Sequence, residues 1–304
     1  MSPAPDDLPA PPEADPTQVW EGDRGQSEGA DLAVDLDGPP ASGAEWRSYP
    51  PGAHTVVGDV RVLEGLHSPQ LGNSRDVTVY LPPSYADGAR RYPVVYMHDG
   101  QNLFDEATSF AGAWDVDDTM EALSRVGVEA IVVGIANAGA ERLGEYSPFE
   151  DAQGRGGDGD RYLAFVTDTV KARVDADFRT LAGPGHTAIA GSSMGGLISL
   201  YAFVRRPDVF GKAAVMSPSL WFADRAVFPV VERAPFAGGR LYLGVGLDEG
   251  AEAVDDTRRL RDVLLAKGYR RRHDLLYLEQ RGAGHTEAAW RRRFRYAARF
   301  LLRD

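Results

Sequence analysis

The chain has 304 residues, of which 43% are hydrophobic and 26% are charged, the composition of an ordinary globular protein. It contains no cysteine, which excludes disulfide bonds, a thiol nucleophile and a metal site with cysteine ligands. The net charge of −12 argues against nucleic acid as a partner, and no apolar stretch approaches the roughly 18 residues that a membrane span needs.

Residues 1–44 differ in composition from the rest of the chain. They hold ten acidic residues against Arg24 alone, with eight prolines and few large apolar side chains. Such a segment buries too little apolar surface to offset the entropy lost on ordering, so we predict a disordered acidic tail. An interaction segment that docks through Trp20 is the alternative.

Residues 45–304 alternate between strand and helix patterns. Alternating polarity predicts two antiparallel strands, at 55–66 and 76–81. Short apolar runs predict further strands, at 92–98, 130–135, 187–190, 213–216, 241–245 and 274–278. Helical spacing predicts helices around 116–126 and at 162–174, 197–205, 257–267 and 287–302, with a long loop at 136–160. This order predicts a single α/β domain with a doubly wound, mostly parallel sheet and antiparallel N-terminal strands.

The last predicted helix contains a run of basic residues. They are Arg291, Arg292, Arg293 and Arg295. We predict that this run forms a solvated helix face rather than a nucleic-acid site.

A candidate nucleophile follows the strand predicted at 187–190. Gly191-Ser192-Ser193-Met194-Gly195 fits the G-x-S-x-G pattern and precedes a predicted helix. This strand–turn–helix context is that of a nucleophile elbow, in which the glycines let the turn close and leave the Ser193 hydroxyl exposed. The alternative is a glycine-rich turn without chemistry, because the pattern alone also arises by chance.

A serine needs a base to take its proton and an acid to orient that base, and both follow it in the chain in this type of fold. His285, in a glycine-flanked loop after the last strand, is the predicted base, whereas His273 is expected to be exposed. The acid should follow the strand at 241–245, where Asp248 and Glu249 are adjacent. The residue pattern does not choose between these two carboxylates.

The oxyanion of the tetrahedral intermediate needs two N–H donors. The amide of Met194, directly after the serine, is the first candidate. The second is the amide of Gln101, which follows Gly100 in the loop after the strand at 92–98. His98 precedes the serine, so we expect it to be hydrogen-bonded within its own loop rather than to act as the base.

The chain resembles an esterase family of α/β-hydrolases that includes enterochelin-type siderophore esterases, feruloyl esterases and the mycolyl-transferring antigen 85 proteins. The segments that carry the resemblance are His98-Asp-Gly-Gln-Asn102, Gly134-Ile-Ala-Asn137 with Arg142, Glu145-Tyr-Ser-Pro148, Gly159-Asp160, Phe178-Arg-Thr180, Gly191-Ser-Ser-Met-Gly-Gly-Leu197, Met216-Ser-Pro-Ser-Leu-Trp221, Gly246-Leu-Asp-Glu249 and Gly284-His285. They follow the family's order over nearly the whole of 45–304.

The resemblance implies an α/β-hydrolase fold and a serine hydrolase that acts on small carboxylic esters without a metal or other cofactor. It favours Glu249 over Asp248 as the acid and supports Gln101 as a donor, although some similar siderophore esterases use a Ser–His dyad. It places Arg142 and Tyr146 where similar esterases carry an arginine and a tyrosine motif. Because no signal peptide is visible, a cytoplasmic enzyme is expected.

Five residues in loops after strands are candidates for substrate binding. They are Trp114, Arg142, Tyr146, Trp221 and Phe222. They would form a pocket for an aromatic or iron-chelating acyl group, or else serve only in packing and ion pairing. The predicted function is therefore a serine carboxylic-ester hydrolase, with an acyltransferase using the same triad or a catalytically silent binding protein as alternatives.

Overall fold

The computed structural model describes residues 45–50, 52, 54–236 and 238–303. The predicted acidic segment at 1–44 lies outside these residues. The strands are β1 (Arg47–Ser48), β2 (Asp59–Ser68), β3 (Asn73–Leu81), β4 (Val94–His98), β5 (Ile131–Ile135), β6 (Thr187–Ser192), β7 (Lys212–Met216), β8 (Arg240–Gly246) and β9 (Leu275–Gln280). The helices are α1 (Val116–Ser124), α2 (Arg142–Glu145), α3 (Gly159–Ala164), α4 (Ala172–Asp177), α5 (Met194–Arg205), α6 (Phe222–Arg225), α7 (Val227–Arg233), α8 (Ala251–Ala266) and α9 (Glu287–Leu302).

The strands form one sheet in the order β1-β2-β3-β5-β4-β6-β7-β8-β9. Strands β1 to β3 pair antiparallel with one another, and β3 pairs antiparallel with β5. From β5 to β9 every pair is parallel. The prediction of a mostly parallel α/β sheet with antiparallel N-terminal strands is confirmed.

Both faces of the sheet are covered, and the core consists of two hydrophobic clusters. Val94 and Tyr96 of β4 belong to the cluster that includes α5, α7 and α8. Val95 and Met97, which alternate with them, belong to the cluster that includes α1 and α9. Burial on both faces explains why the parallel strands are continuous apolar runs, since successive side chains point to opposite faces of a strand.

Several regions differ from the prediction. The loop expected at 136–160 contains the short helix α2, and α8 begins at Ala251, six residues before the expected start. The helix expected at 162–174 begins at Gly159 and continues to Asp177, with a π-helical stretch, Phe165–Lys171, between α3 and α4. The region of α6 and α7 was not predicted as helical. In α6, Ala223 and Asp224 have left-handed backbone angles, which no periodic pattern of side chains signals.

No helix among the described residues is both long enough and apolar enough to cross a bilayer. The carboxyl ends of β4, β6, β8 and β9 lie on the same side of the sheet, because these strands run parallel. The loops that follow them therefore meet at one edge, which is where ligands bind in sheets of this kind.

Candidate active site

Ser193 occupies a sharp turn between β6 and α5. Its backbone angles are φ 56° and ψ −123°, a conformation that residues other than glycine rarely adopt. Three hydrogen bonds hold the turn: Ser193 N–H donates to the Met216 carbonyl at 3.1 Å, and the Ser193 carbonyl accepts from the amides of Leu197 and Ser219, each at 3.0 Å. Ser193 is half-buried, and backbone strain of this kind is typical of functional sites.

The turn is packed so tightly that Gly191 has no room for a side chain. A Cβ atom there would lie 2.7 Å from the Gly195 carbonyl group and 2.9 Å from the His98 ring. His98 is buried beneath the turn, with Nδ1 2.8 Å from the Tyr162 hydroxyl. This partner lies on α3, not in the loop of His98 as expected. Burial lowers the pKa of His98 to about 3, so its ring is neutral.

His285, in the loop between β9 and α9, pairs with Glu249. Nδ1 of His285 lies 2.9 Å from Oε2 of Glu249. An ionised carboxylate only accepts hydrogen bonds, so this contact places the imidazole proton on Nδ1 and leaves Nε2 able to accept one. The His285 side chain is 44% exposed, and the Trp290 ring meets it edge-on with centroids 4.8 Å apart.

Glu249 is held by donors on both of its oxygens. Oε1 accepts hydrogen bonds from Ser217 Oγ at 2.7 Å, from the Gly246 amide at 2.7 Å and from Arg293 Nη2 at 3.0 Å. Burial raises the pKa of this carboxyl, but the hydrogen bonds from His285, Ser217 and Gly246 and the charge of Arg293 outweigh it. The net pKa of Glu249 is therefore lowered.

Asp248, the other candidate acid, has a different environment. Its side chain is exposed, and among the described residues it makes no side-chain hydrogen bond. Its amide donates to the Ala283 carbonyl at 3.1 Å, which helps to hold the loop. The structure brings Glu249, not Asp248, to the imidazole.

The prediction that the basic run of α9 is a solvated face is wrong for Arg293. Arg291, Arg292 and Arg295 are exposed, but the Arg293 side chain is fully buried. The apolar spacing of the helix gives the reason. Arg293 lies in the buried stripe of Trp290, Phe294, Ala297, Ala298 and Leu301, so helical periodicity signals its burial and charge composition does not.

Ser193 and His285 line the same cavities. Within the described part of the chain, Ser193 Oγ lies 3.3 Å from Ser219 Oγ and has no hydrogen bond to His285. Both residues line a cavity of about 420 Å³ with Ser219, Trp221 and Glu249, and both also line a neighbouring cavity of about 730 Å³.

The two predicted amide donors lie at the same edge. Met194 begins α5, where the first N–H groups of a helix have no intrahelical acceptor. Gln101 lies in the short 3₁₀ turn Gly100–Asn102 after β4 and lines the larger cavity. A Cβ at Gly100 would lie 2.5 Å from the Gly134 carbonyl carbon, so only glycine lets this turn pack on β5.

Arg142 forms a bidentate ion pair with Asp99. Its Nε and Nη2 donate to Oδ1 and Oδ2 of Asp99 at 2.7 and 2.8 Å, and its guanidinium lies 4.8 Å from the centre of the Tyr146 ring. Arg142 lines the larger cavity together with Trp114. Tyr146 is fully buried behind it, where its hydroxyl accepts from the Asp99 amide at 3.1 Å. Trp221 is 49% exposed at the smaller cavity, whereas Phe222 is buried and lines neither cavity.

Comparison with known protein families shows which family the chain belongs to. The family described as "Putative esterase" matches residues 68–301, which includes every strand from β3 to β9 and all candidate site residues. The chain belongs to this esterase family. It is therefore an enzyme of the carboxylic-ester hydrolase type, as predicted.

Three proteins that match this esterase share about a quarter or less of its residues. It is 26% identical over 252 residues to "Uncharacterized protein YbbA" of Bacillus subtilis, a match that covers 79% of this chain and 97% of that protein. It is 26% identical over 274 residues to "Iron(III) salmochelin esterase" of Escherichia coli, covering 84% of this chain and 59% of that protein. A solved "IroE-like serine hydrolase" from Shewanella oneidensis superimposes with a TM-score of 0.65 at 21% identity, covering 80% of each chain.

Proposed function

We propose that this esterase hydrolyses its substrate through an acyl-enzyme on Ser193, with His285 as the general base and Glu249 as the acid that orients it. The observation that carries the proposal is the pairing of His285 with Glu249 in the cavity that Ser193 also lines. An apo site often lacks the serine–histidine contact, which tightens when the substrate binds.

The reaction proceeds in two halves. Ser193 Oγ attacks the ester carbonyl carbon while Nε2 of His285 takes the hydroxyl proton, and the oxyanion is bound by the amides of Met194 and Gln101. The C–O bond to the alcohol breaks as His285 returns the proton to the leaving oxygen. Water then attacks the acyl carbonyl carbon while Nε2 of His285 takes its proton. The bond between the acyl carbon and Ser193 Oγ breaks as His285 returns that proton to Oγ, which releases the carboxylic acid and restores the enzyme.

We further propose an aryl or catecholate acyl group as the substrate's distinguishing part. The larger cavity has an aromatic wall at Trp114 and a cation at Arg142, whose pair with Asp99 uses Nε and Nη2 but not Nη1. Trp221 is an aromatic side chain of the smaller cavity, which Ser193 also lines. The match to a salmochelin esterase supports the catecholate class.

The test compares wild type with Ser193→Ala on p-nitrophenyl butyrate and on a catecholate siderophore with and without iron. We expect the variant to lose about 10³-fold or more of kcat/KM on every substrate that the wild type cleaves, because nucleophile and base act as a unit. Ser124→Ala, the same exchange at a position outside both cavities, controls for nonspecific loss. Retained hydrolysis in Ser193→Ala would overturn the mechanism.

The same assay separates the substrate classes. Preference for the siderophore over the p-nitrophenyl ester supports the catecholate proposal, and preference for the simple ester contradicts it. A transfer product when alcohols are added would indicate an acyltransferase instead of a hydrolase.

A further inference from the structure

The candidate acid has a buried cation behind it. Arg293 of α9 is 0% exposed, and the side chain of its partner Glu249 is 1% exposed. Arg293 Nη2 donates to Glu249 Oε1 at 3.0 Å, and Nε donates to the Ala289 carbonyl at 3.4 Å. Nη1 is buried and has no hydrogen-bond partner among the described residues.

A fully buried arginine is costly unless a counter-charge lies beside it. Glu249 is the carboxylate that pairs with Arg293, and burial lowers the pKa of this arginine in spite of that pair. Retaining such a cation inside the core, where methionine or leucine would pack without desolvation cost, calls for a reason beyond stability. Its only ionic contact in the described chain is the residue that holds His285.

We propose that Arg293 is a positioning residue, whose guanidinium fixes Oε1 of Glu249 so that Oε2 stays ionised and directed at Nδ1 of His285. This inference rests on the proposed triad. Ser217 and the Gly246 amide share Oε1 with Arg293, but neither carries a charge. The cation therefore adds a positive charge to the hydrogen bonds from His285, Ser217 and Gly246 that also stabilise the buried carboxylate as an anion.

The proposal predicts how activity depends on pH. The active pair is a neutral His285 beside an ionised Glu249, and one added proton on either group ends activity. Removing a nearby positive charge strengthens proton binding at both groups, so the acidic limb of kcat/KM moves to higher pH. Tyr242 of β8, whose buried hydroxyl has no partner among the described residues, and Arg292 on α9 act on Arg293 itself. On the other side of the pair, Glu252 and Glu287 line the cavities that His285 lines.

The experiment measures kcat/KM against pH for Arg293→Met, Arg293→Lys and wild type on p-nitrophenyl butyrate. In Arg293→Met we expect the acidic limb to move up by about one pH unit, and kcat at neutral pH to fall between the values of wild type and Glu249→Gln. Arg293→Lys keeps the charge and should keep the limb near its wild-type position. Arg295→Met removes an exposed arginine from the same helix and should leave the limb unchanged.

If Arg293→Met folds and the acidic limb of its kcat/KM profile lies at the same pH as in wild type, the proposal is overturned and Arg293 is a purely structural residue. If Arg293→Met does not fold, the double variant with Glu249→Gln removes both buried charges and serves instead. In that background, the loss of Arg293 should cause no further loss of activity, and an additional loss would contradict the proposal. Full activity of Glu249→Gln alone would instead disprove the triad on which the inference rests.

Discussion

The two carboxylate oxygens of Glu249 have different partners, and this difference sets what each can contribute. Oε1 takes three donors, whereas Oε2 has His285. A side chain held so firmly at one oxygen loses little entropy when the other orients the imidazole. Pre-organisation of this kind reduces the reorganisation needed in the transition state.

Glu249→Gln tests the role of this carboxylate. An amide nitrogen facing Nδ1 favours the wrong imidazole tautomer, so we expect kcat/KM to fall by about two to four orders of magnitude. Steady-state hydrolysis of p-nitrophenyl butyrate measures the loss. Asp248→Asn makes the matched exchange at the exposed neighbour and should retain nearly wild-type activity. Equal losses in the two variants would contradict the assignment of Glu249.

At the scale of elements, the segment between β7 and β8 combines a site residue with an unusual backbone. Trp221 lines the smaller cavity, and directly after it Ala223, Asp224 and Arg225 all have positive φ angles of 48°, 51° and 62°. Arg225 donates to Asp256 and Glu252 of α8, which holds the turn against that helix. The ion pairs with α8 therefore offset the conformational free energy of the left-handed turn, as is common near functional sites.

Substitutions at the exposed Asp224 test this backbone. A β-branched residue is strongly disfavoured in the left-handed region, so Asp224→Gly should be more stable than Asp224→Val by about 1–2 kcal/mol. The same pair at Asp255, exposed on the regular helix α8, should show the reverse order, because glycine is the poorer helix former. Chemical unfolding measures both pairs. A more stable Asp224→Val than Asp224→Gly, the order expected at Asp255, would show that residue 224 is not left-handed in solution.

For the whole molecule, the central strand β4 links the core to the site. Its last residue, His98, is buried under the Ser193 turn with a pKa near 3, against an ordinary value of about 6.5. Between these two pH values the unfolded chain binds one proton that the folded chain does not. Stability therefore falls as the pH drops through this window.

Unfolding of wild type and His98→Gln from pH 8 to pH 4 tests this linkage. Asp117 acts in the opposite direction, because burial raises its pKa to about 6, but it is common to both proteins and cancels in the comparison. The wild-type free energy of unfolding, relative to that of the variant, should be constant above pH 7. Below pH 6.5 it should fall by about 1.4 kcal/mol for each pH unit. A difference that does not change with pH would mean that His98 is not buried as a neutral ring.

The sequence predicts those features that local patterns encode. Continuous apolar runs locate the buried strands, and chain order with loop position brings Ser193, Glu249 and His285 to one edge of the sheet. The choice between Asp248 and Glu249 depends on which side chain turns inwards, which the residues alone leave open. The contacts of Arg142 with Asp99 and of His98 with Tyr162 join distant segments, and no local pattern specifies them. The burial of Arg293 was within reach of helical periodicity.

The order of the site along the chain has a consequence for synthesis. The Ser193 turn and Glu249 are translated well before His285 and Arg293, which come with the last loop and α9. A nascent chain that ends with β9 therefore carries a carboxylate with neither its imidazole nor its buried cation. On the proposed mechanism, the growing chain is inactive on the ribosome, and hydrolysis begins only after α9 has emerged and docked.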